Sequence, residues 1–268
     1  SGDQVSVWLS NIKTRPASGG DATEVTSPTE YTCTVAANGS TLTLPIDKTY
    51  TYMGAGRYPT AYGIKPKPTS GTFTVATDQS TAASYLASDL VYSASKTYGQ
   101  SSGVIRMQFQ HLLTKIVVRL MKGENSGLED ADLTNAEVKV IARPSCAFNY
   151  PTDDFVTMPI SDDFSDIVLK TDEVVTTSEV YAGACIIPPQ GYATGSTLIS
   201  VRVNGGGAEF TWSIPSGGKT FEAGKVYTIP ITVRDEGWEV QGDVSVSAWG
   251  TPESSMDQGT DYYGDGCL

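Results

Sequence analysis

The chain has 268 residues with 30 acidic and 18 basic side chains, a formal net charge of −12 and a pI of about 4.5, so nucleic-acid backbones and anionic membrane surfaces repel it. Its partners are therefore expected among proteins, glycans or neutral surfaces. Charged residues make up only 18%, while Thr, Ser, Gly, Tyr and Val are abundant, which favours strands over helices; the length allows one or two domains, and we read two.

Residues 1–25 lack the basic start and apolar core of a signal peptide, and no window reaches the roughly 18 apolar residues of a membrane helix. Any targeting segment is expected to have preceded Ser1. Because side chains alternate faces along a strand, Val5, Val7 and Leu9 mark one buried face, as do Leu42, Leu44 and Ile46. The stretch 50–68 is rich in Pro and Tyr and reads as a loop. It clusters Tyr50, Tyr52, Tyr58 and Tyr62, a candidate stacking surface for sugars or a partner, and Tyr262-Tyr263 offer a second. Residues 72–75 and 89–93 read as extended, and 80–87 as a short helix.

Through 104–121 the apolar residues first take odd positions (Ile105, Met107, Phe109, Leu113) and then even ones (Leu112, Ile116, Val118, Leu120). A change of parity within one strand demands a bulge or a switch of sheet near 112–114. Residues 122–133 are polar and Gly-containing, and they predict the boundary between an N-terminal β-sandwich, 1–125, and a C-terminal one, 134–250. Residues 251–268 form a tail that is mobile unless docked.

In the second block Val138, Val140 and Ala142 share a face. Ile199, Val201 and Val203 lead through Asn204-Gly205-Gly206-Gly207 to Phe210, Trp212 and Ile214, a hairpin whose turn residues supply positive φ. Tyr227, Ile229, Ile231 and Val233 form the next strand, where Pro230 requires an edge, a bulge or an unpaired position. The last alternating run is Val240, Val244, Val246 and Ala248.

Candidate chemistry is sparse. Cys33, Cys146, Cys185 and Cys267 show no C-x-x-C spacing, and one histidine does not make a zinc site with them. A Cys146–Cys185 bridge and separate buried thiols both stay open. His111, the single histidine, sits on the apolar parity of its strand and reads as a buried neutral imidazole hydrogen-bonded to backbone, with a structural role. No G-x-S-x-G elbow exists, and Gly54-Ala55-Gly56-Arg57 lacks the strand-to-helix setting of a nucleotide loop. Asp153-Asp154 and Asp162-Asp163, with Asp166, do not follow EF-hand spacing and read as solvated turns, not as a calcium site or a glycosidase pair. No catalytic residue, metal or cofactor is expected, and no enzymatic activity.

Phe109-Gln110-His111-Leu112-Leu113-Thr114-Lys115 resembles the F-x-H-x-L-[ST]-K signature of the Bacteroidales-type fimbrillin family, the type V pilins and their relatives. Its marker residues are Phe109, His111, Leu113 and Lys115. Asp89-Leu90-Val91-Tyr92-Ser93 is similar to the strand that precedes this signature in the family. Ala182-Gly183-Ala184-Cys185-Ile186-Ile187-Pro188-Pro189-Gln190 is similar to its I-x-P-Q element. The run from Gly224-Lys225-Val226-Tyr227 to Val233 is similar to its G-x-x-Y-x-[IY]-x-[IV]-x-V strand, and Gly2-Asp3-Gln4-Val5-Ser6-Val7-Trp8 to its G-D-x-[IV]-x-V element. The likeness spans most of residues 1–250.

The resemblance implies an all-β chain of two tandem transthyretin-like Greek-key β-sandwich domains. It further implies export through the outer membrane as a lipoprotein precursor, and assembly with other fimbrial subunits by strand exchange into an adhesive cell-surface fimbria. Two departures stand out: the family's lipidated cysteine and its first strand are both missing, so a lipid anchor is expected only through a removed N-terminal segment. Arg15 precedes Pro16, which makes it a poor site for an Arg-specific maturation protease. The run Val240, Val244, Val246 and Ala248 is the candidate donor strand, the alternative being that it closes its own sandwich. The competing functional reading is a surface lipoprotein of the same fold that binds a host or bacterial glycan or protein through the Tyr-rich loop and does not polymerise.

Overall fold

The computed structural model describes residues 4–16, 18–35, 42–43, 48–53, 56–68, 71–98, 105–124, 126–148, 159–171, 178–203, 209–234, 237–240, 244–250 and 266–267. In chain order the first block contains β1 (Gln4–Ser10), β2 (Ile12–Pro16), β3 (Thr23–Val25), β4 (Thr29–Val35), β5 (Leu42–Thr43), β6 (Lys48–Tyr52) and β7 (Thr60–Lys65). Next come β8 (Thr72–Thr74), α1 (Ala82–Ala87), β9 (Val91–Thr97), β10 (Arg106–Met107), β11 (Gln110–His111) and β12 (Thr114–Lys122). After α2 (Asp130–Thr134) follow β13 (Glu137–Ala142), β14 (Ser145–Ala147), β15 (Ser165–Val168), β16 (Tyr181–Ile187), β17 (Gln190–Tyr192) and β18 (Thr197–Arg202). The chain closes with β19 (Glu209–Ser213), β20 (Lys219–Phe221), β21 (Lys225–Arg234), β22 (Gly237–Val240), β23 (Ser245–Ala248) and β24 (Gly266–Cys267).

The first sandwich is built on a six-stranded sheet, β11-β9-β7-β1-β4-β5, whose pairings are all antiparallel. As the alternation predicts, Val5, Val7 and Leu9 are fully buried; they pack with Tyr31, Cys33 and Val35 of β4. Ile12 of β2 and Val25 of β3 close the same core from the second sheet, β3-β2-β6. The chain passes from one sheet to the other at Asn11, whose φ of 57° is a left-handed conformation that Asn tolerates better than most residues. Its Nδ2 donates to the Tyr58 carbonyl at 3.1 Å.

A second sandwich faces the sheet β16-β12-β21, with β22 and β23 on the outer edge of β21, against β15-β13-β18-β19. Ile116, Val118 and Leu120 of β12, Ile229 and Ile231 of β21, Val138 and Val140 of β13 and Ile199 of β18 fill the space between. Each such side chain contributes about 1.5–3 kcal/mol by leaving water. The β18–β19 hairpin has Val201 opposite Phe210; its Gly-rich turn lies outside the described residues, as do Leu44 and Ile46.

Two sequence expectations change. β12, grouped with the N-terminal block by a boundary at 122–133, pairs antiparallel with β16 and parallel with β21, both from the C-terminal block. The parity change at 112–114 is thus a switch of sheet: β11 still pairs with β9 of the first sheet, and three residues later, at Thr114, β12 has joined the second. The stretch 50–68 is not one loop, because β6 reaches Tyr52 and β7 spans Thr60–Lys65. β7 is covered on both faces, Ala61 in the first core and Tyr62 and Ile64 in the second. At Gly63 between them an added Cβ would lie 3.0 Å from Met107 Cε and 3.1 Å from Phe109 Cζ.

Other expectations stand. α1 is capped by Thr81, whose Oγ1 accepts from the Ser84 amide at 3.1 Å. β22 covers Ile231–Arg234 and β23 covers Lys225–Thr228, so Pro230, which has no N–H to offer, falls where neither edge strand pairs. Of the two options left open for the cysteines, Cys33, Cys146 and Cys185 are free and buried; burial pushes the thiols of Cys33 and Cys146 up to about 12 and raises that of Cys185 as well.

Two buried glutamines fasten the connections. Gln79 Nε2 donates to the Ile186 carbonyl and its Oε1 accepts from the Ile186 amide, both at 2.8 Å, so one amide side chain acts as an extra strand beside β16. Gln190 does the same for Arg143, accepting from its amide at 3.0 Å and donating to its carbonyl at 3.3 Å.

Candidate functional site

The residues of the 109–115 signature occupy the crossover between the two sandwiches. β11 is held to β9 through Gln110 opposite Tyr92 and His111 opposite Val91, and the Leu112 amide donates to the Leu90 carbonyl at 2.9 Å. One residue on, the Leu113 carbonyl accepts from the Gly224 amide at 2.8 Å, and Thr114 Oγ1 donates to the Glu222 carbonyl at 2.8 Å. Leu113 and Lys115 are buried. Phe109 is half-buried against the first core. The signature therefore marks a place where the backbone leaves one sheet and enters another while its hydrogen bonds pass from β9 to the turn before β21.

His111, expected to be buried and bonded to backbone, is instead half-buried and its ring meets a carboxylate. Its Nδ1 lies 2.8 Å from Asp89 Oδ1, and its ring stacks on Trp249 with centroids 4.0 Å apart and planes 3° from parallel. A carboxylate held against one nitrogen fixes the ring orientation, and the stack gives the imidazole an apolar cover. Gly224 completes the joint. Its φ of +66° and the approach of the His111 carbonyl, 3.2 Å from where a Cβ would sit, require glycine. The Trp249 amide donates to the Gly224 carbonyl at 2.8 Å.

Asp89 and Gly224 belong to two of the other four quoted elements, so three separated motifs converge on one joint. Their convergence, not their identity, is what sequence reasoning missed; Trp249 carried no spacing signal. Beside this joint lies a cavity of about 510 Å³ lined by Phe109, Gln110, His111, Lys225 and Trp249 among others.

The candidate donor run is two short strands, not one. Val240 ends β22 opposite Ile231, and Val246 and Ala248 lie in β23 opposite Tyr227 and Lys225. Both strands pair with β21 of their own chain. Val244 packs partly against the second core, whereas Val246 is 48% exposed. Most of the tail 251–268 lies outside the described residues, but β24 within it pairs antiparallel with β10, Cys267 opposite Arg106.

The structure does not gather the tyrosines into a binding loop. Tyr50 and Tyr52 lie on β6, Tyr62 is buried in β7 and stacked on Trp8 at 5.0 Å, and Tyr58 is 51% exposed. Burial in a strand shared by two cores removes Tyr62 from any ligand surface. Among the acidic residues, Asp162 lies 3.4 Å from Arg143 and Asp166 3.5 Å from Lys139, while Asp163 accepts from the Ser161 hydroxyl at 2.8 Å. Asp153-Asp154, Tyr262-Tyr263 and Gly54-Ala55 fall outside the described residues.

A family model described as fimbrillin-like matches residues 1–249. No curated protein matches. Among solved structures, the chain is similar to a protein assigned to cell adhesion from Bacteroides uniformis, with a TM-score of 0.66 and 23% identity over 93% of this chain and 92% of that one. A second such protein, from Bacteroides ovatus, aligns with a TM-score of 0.56 and 15% identity over 93% and 88% of the two chains. A fimbrial protein from Bacteroides vulgatus aligns with a TM-score of 0.50 and 12% identity over 91% and 92%. At these identities the likeness shows the β-sandwich fold.

Proposed function

Since the chain belongs to the fimbrillin-like family, we propose that it is a structural, non-catalytic subunit of a cell-surface fimbria that reaches the surface as a lipoprotein precursor, joins other fimbrial subunits by strand exchange and contributes to adhesion. The observation that carries the exchange step is the state of β23. Its backbone is paired with β21, yet Val246 and Ala248 are exposed. Along Ser245–Ala248 the strand is hydrogen-bonded without being packed, so its release would cost mainly the flanking contacts of Val244 and of Trp249 on His111, against the apolar burial gained if it adds to a neighbour's sheet. β24 against β10 supports the same reading, because it places C-terminal strand on the first sandwich. In this proposal the two units meet at 112–113, where the chain changes sheet.

A reversible lock tests it. Thr228 and Ser245 are cross-strand partners, and the pair Thr228→Cys/Ser245→Cys should tie β23 to β21 under oxidation. Polymerisation is expected to stop in the oxidised protein and return on reduction, read by electron microscopy and size exclusion. Fibres formed equally well by the oxidised, fully cross-linked protein would overturn donation by this strand.

A further inference from the structure

We infer that the cavity of about 500 Å³ lined by Arg143, Gln190, Gly191, Thr220, Phe221 and Glu222 binds a hydroxyl-rich ligand bearing one carboxylate, an acidic sugar of the uronic or sialic acid class. The anchor is Arg143. Its guanidinium carbon lies 4.4 Å over the Phe164 ring, which holds the plane in place, and Gln190 fixes the backbone from which it projects. The head group itself is poorly satisfied. Nη1 reaches the Gly191 carbonyl at 3.4 Å, Nη2 lies 3.4 Å from Asp162, and the buried Nε has no partner among the described residues.

Charge-assisted bonds normally close to about 2.7–2.9 Å, and buried donors are normally paired. Elsewhere in the fold Arg119 does close, meeting Glu179 at 2.5 Å. With Nε enclosed, an incoming carboxylate meets the terminal Nη1–Nη2 pair, which can take it in a two-point grip. Asp162 occupies only part of that pair, and with its side chain fully exposed it can swing away with no loss of packing.

The rest of the lining selects among carboxylates. The Phe221 side chain is fully buried and packed on Tyr192 and Tyr227, so the surface open to a ligand is polar. At the rim, exposed Glu222 and Thr220 accept hydroxyl protons, and Glu222 repels a second acid. That combination favours one carboxylate among many hydroxyls over a polyacidic peptide. With a chain charge of −12, recognition of an anion has to be local, through Arg143. The site lies within one subunit, so its test runs on the monomer and is separate from strand exchange.

Isothermal titration with glucuronate and N-acetylneuraminate, against glucose and a Glu-containing tripeptide, reads the proposal directly. The acidic sugars are expected to bind in the millimolar range or tighter, glucose not measurably. Arg143→Lys, which keeps the charge and loses the fork, should weaken binding about tenfold. Asp162→Asn, at a fully exposed position that cannot unfold the chain, should tighten it several times. Failure of both acidic sugars to bind, equal binding of glucose, preference for the tripeptide, or affinities unmoved in Asp162→Asn would each overturn the assignment.

Discussion

β12 and β23 both hydrogen-bond β21, one along each edge. Along β12 the five residues Thr114, Lys115, Ile116, Val117 and Val118 are buried without a break, since a sheet strand on either side and cores above and below leave no face to water. Along β23 only Ser247 is even half-buried. Backbone hydrogen bonds alone exchange readily with water bonds and net little, whereas buried apolar area does not. The inner edge of β21 is therefore the tightly held one, and the outer edge is where the proposed exchange would take place.

The largest expected effect is at the inner edge. Ile116→Ala removes a fully buried side chain and should cost about 2–5 kcal/mol, seen as a lowered denaturant midpoint. A loss below about 1 kcal/mol would mean that β12 is not the keel of the second sheet.

The crossover that feeds β12 comes next. His111→Asn should cost about 1–3 kcal/mol by stranding Asp89 and uncovering Trp249. Because the ring stack is shared, the costs of His111→Asn and Trp249→Ala should add to more than the cost of the double variant. Strict additivity would show that the stacked rings do not hold the last residues of β23 to the joint.

Alkali probes the same interior without mutation. Cys185 stands across from Ile116, and Cys33 and Cys146 are buried with thiols pushed up to about 12 from an ordinary 9.0. In the unfolded chain these thiols ionise above about 9 while the native thiols stay protonated, so the native state binds more protons and stability must fall as pH rises between about 9 and 12, being fully present below that window. In a Cys267→Ser background the remaining three thiols should react with a disulfide reagent at pH 8 only on unfolding; rapid reaction of native protein would contradict their burial.

The smallest expected effect lies at the outer edge. Val246→Thr should change monomer stability by no more than about 0.5 kcal/mol while reducing polymer yield, and a large loss of monomer stability would show that β23 is packed after all.

Much of this was legible in one dimension. Val5, Val7 and Leu9, or Val138, Val140 and Ala142, alternate because one face of each strand meets a core, and the pattern survives in the sequence. The parity change at 112–114 was equally readable, since a strand cannot turn both sets of side chains to one core. The Tyr-rich stretch misled because Pro and Tyr are common to loops and to strand ends, and nothing local reveals that β7 is covered on both sides.

The sequence by itself determined an all-β chain, a bulge or sheet switch beside His111, the special status of Pro230 and the family to which the 109–115 signature belongs. All of these are consequences of neighbours along the chain, where side-chain period and turn chemistry act. Only the tertiary structure decided that β12 serves the second sheet, that Asp89, Gly224 and Trp249 close on His111, that the buried Arg143 Nε has no partner among the described residues, and that Val246 faces water. Those facts depend on which distant segments come to lie side by side, and contacts across more than a hundred residues leave no period to read.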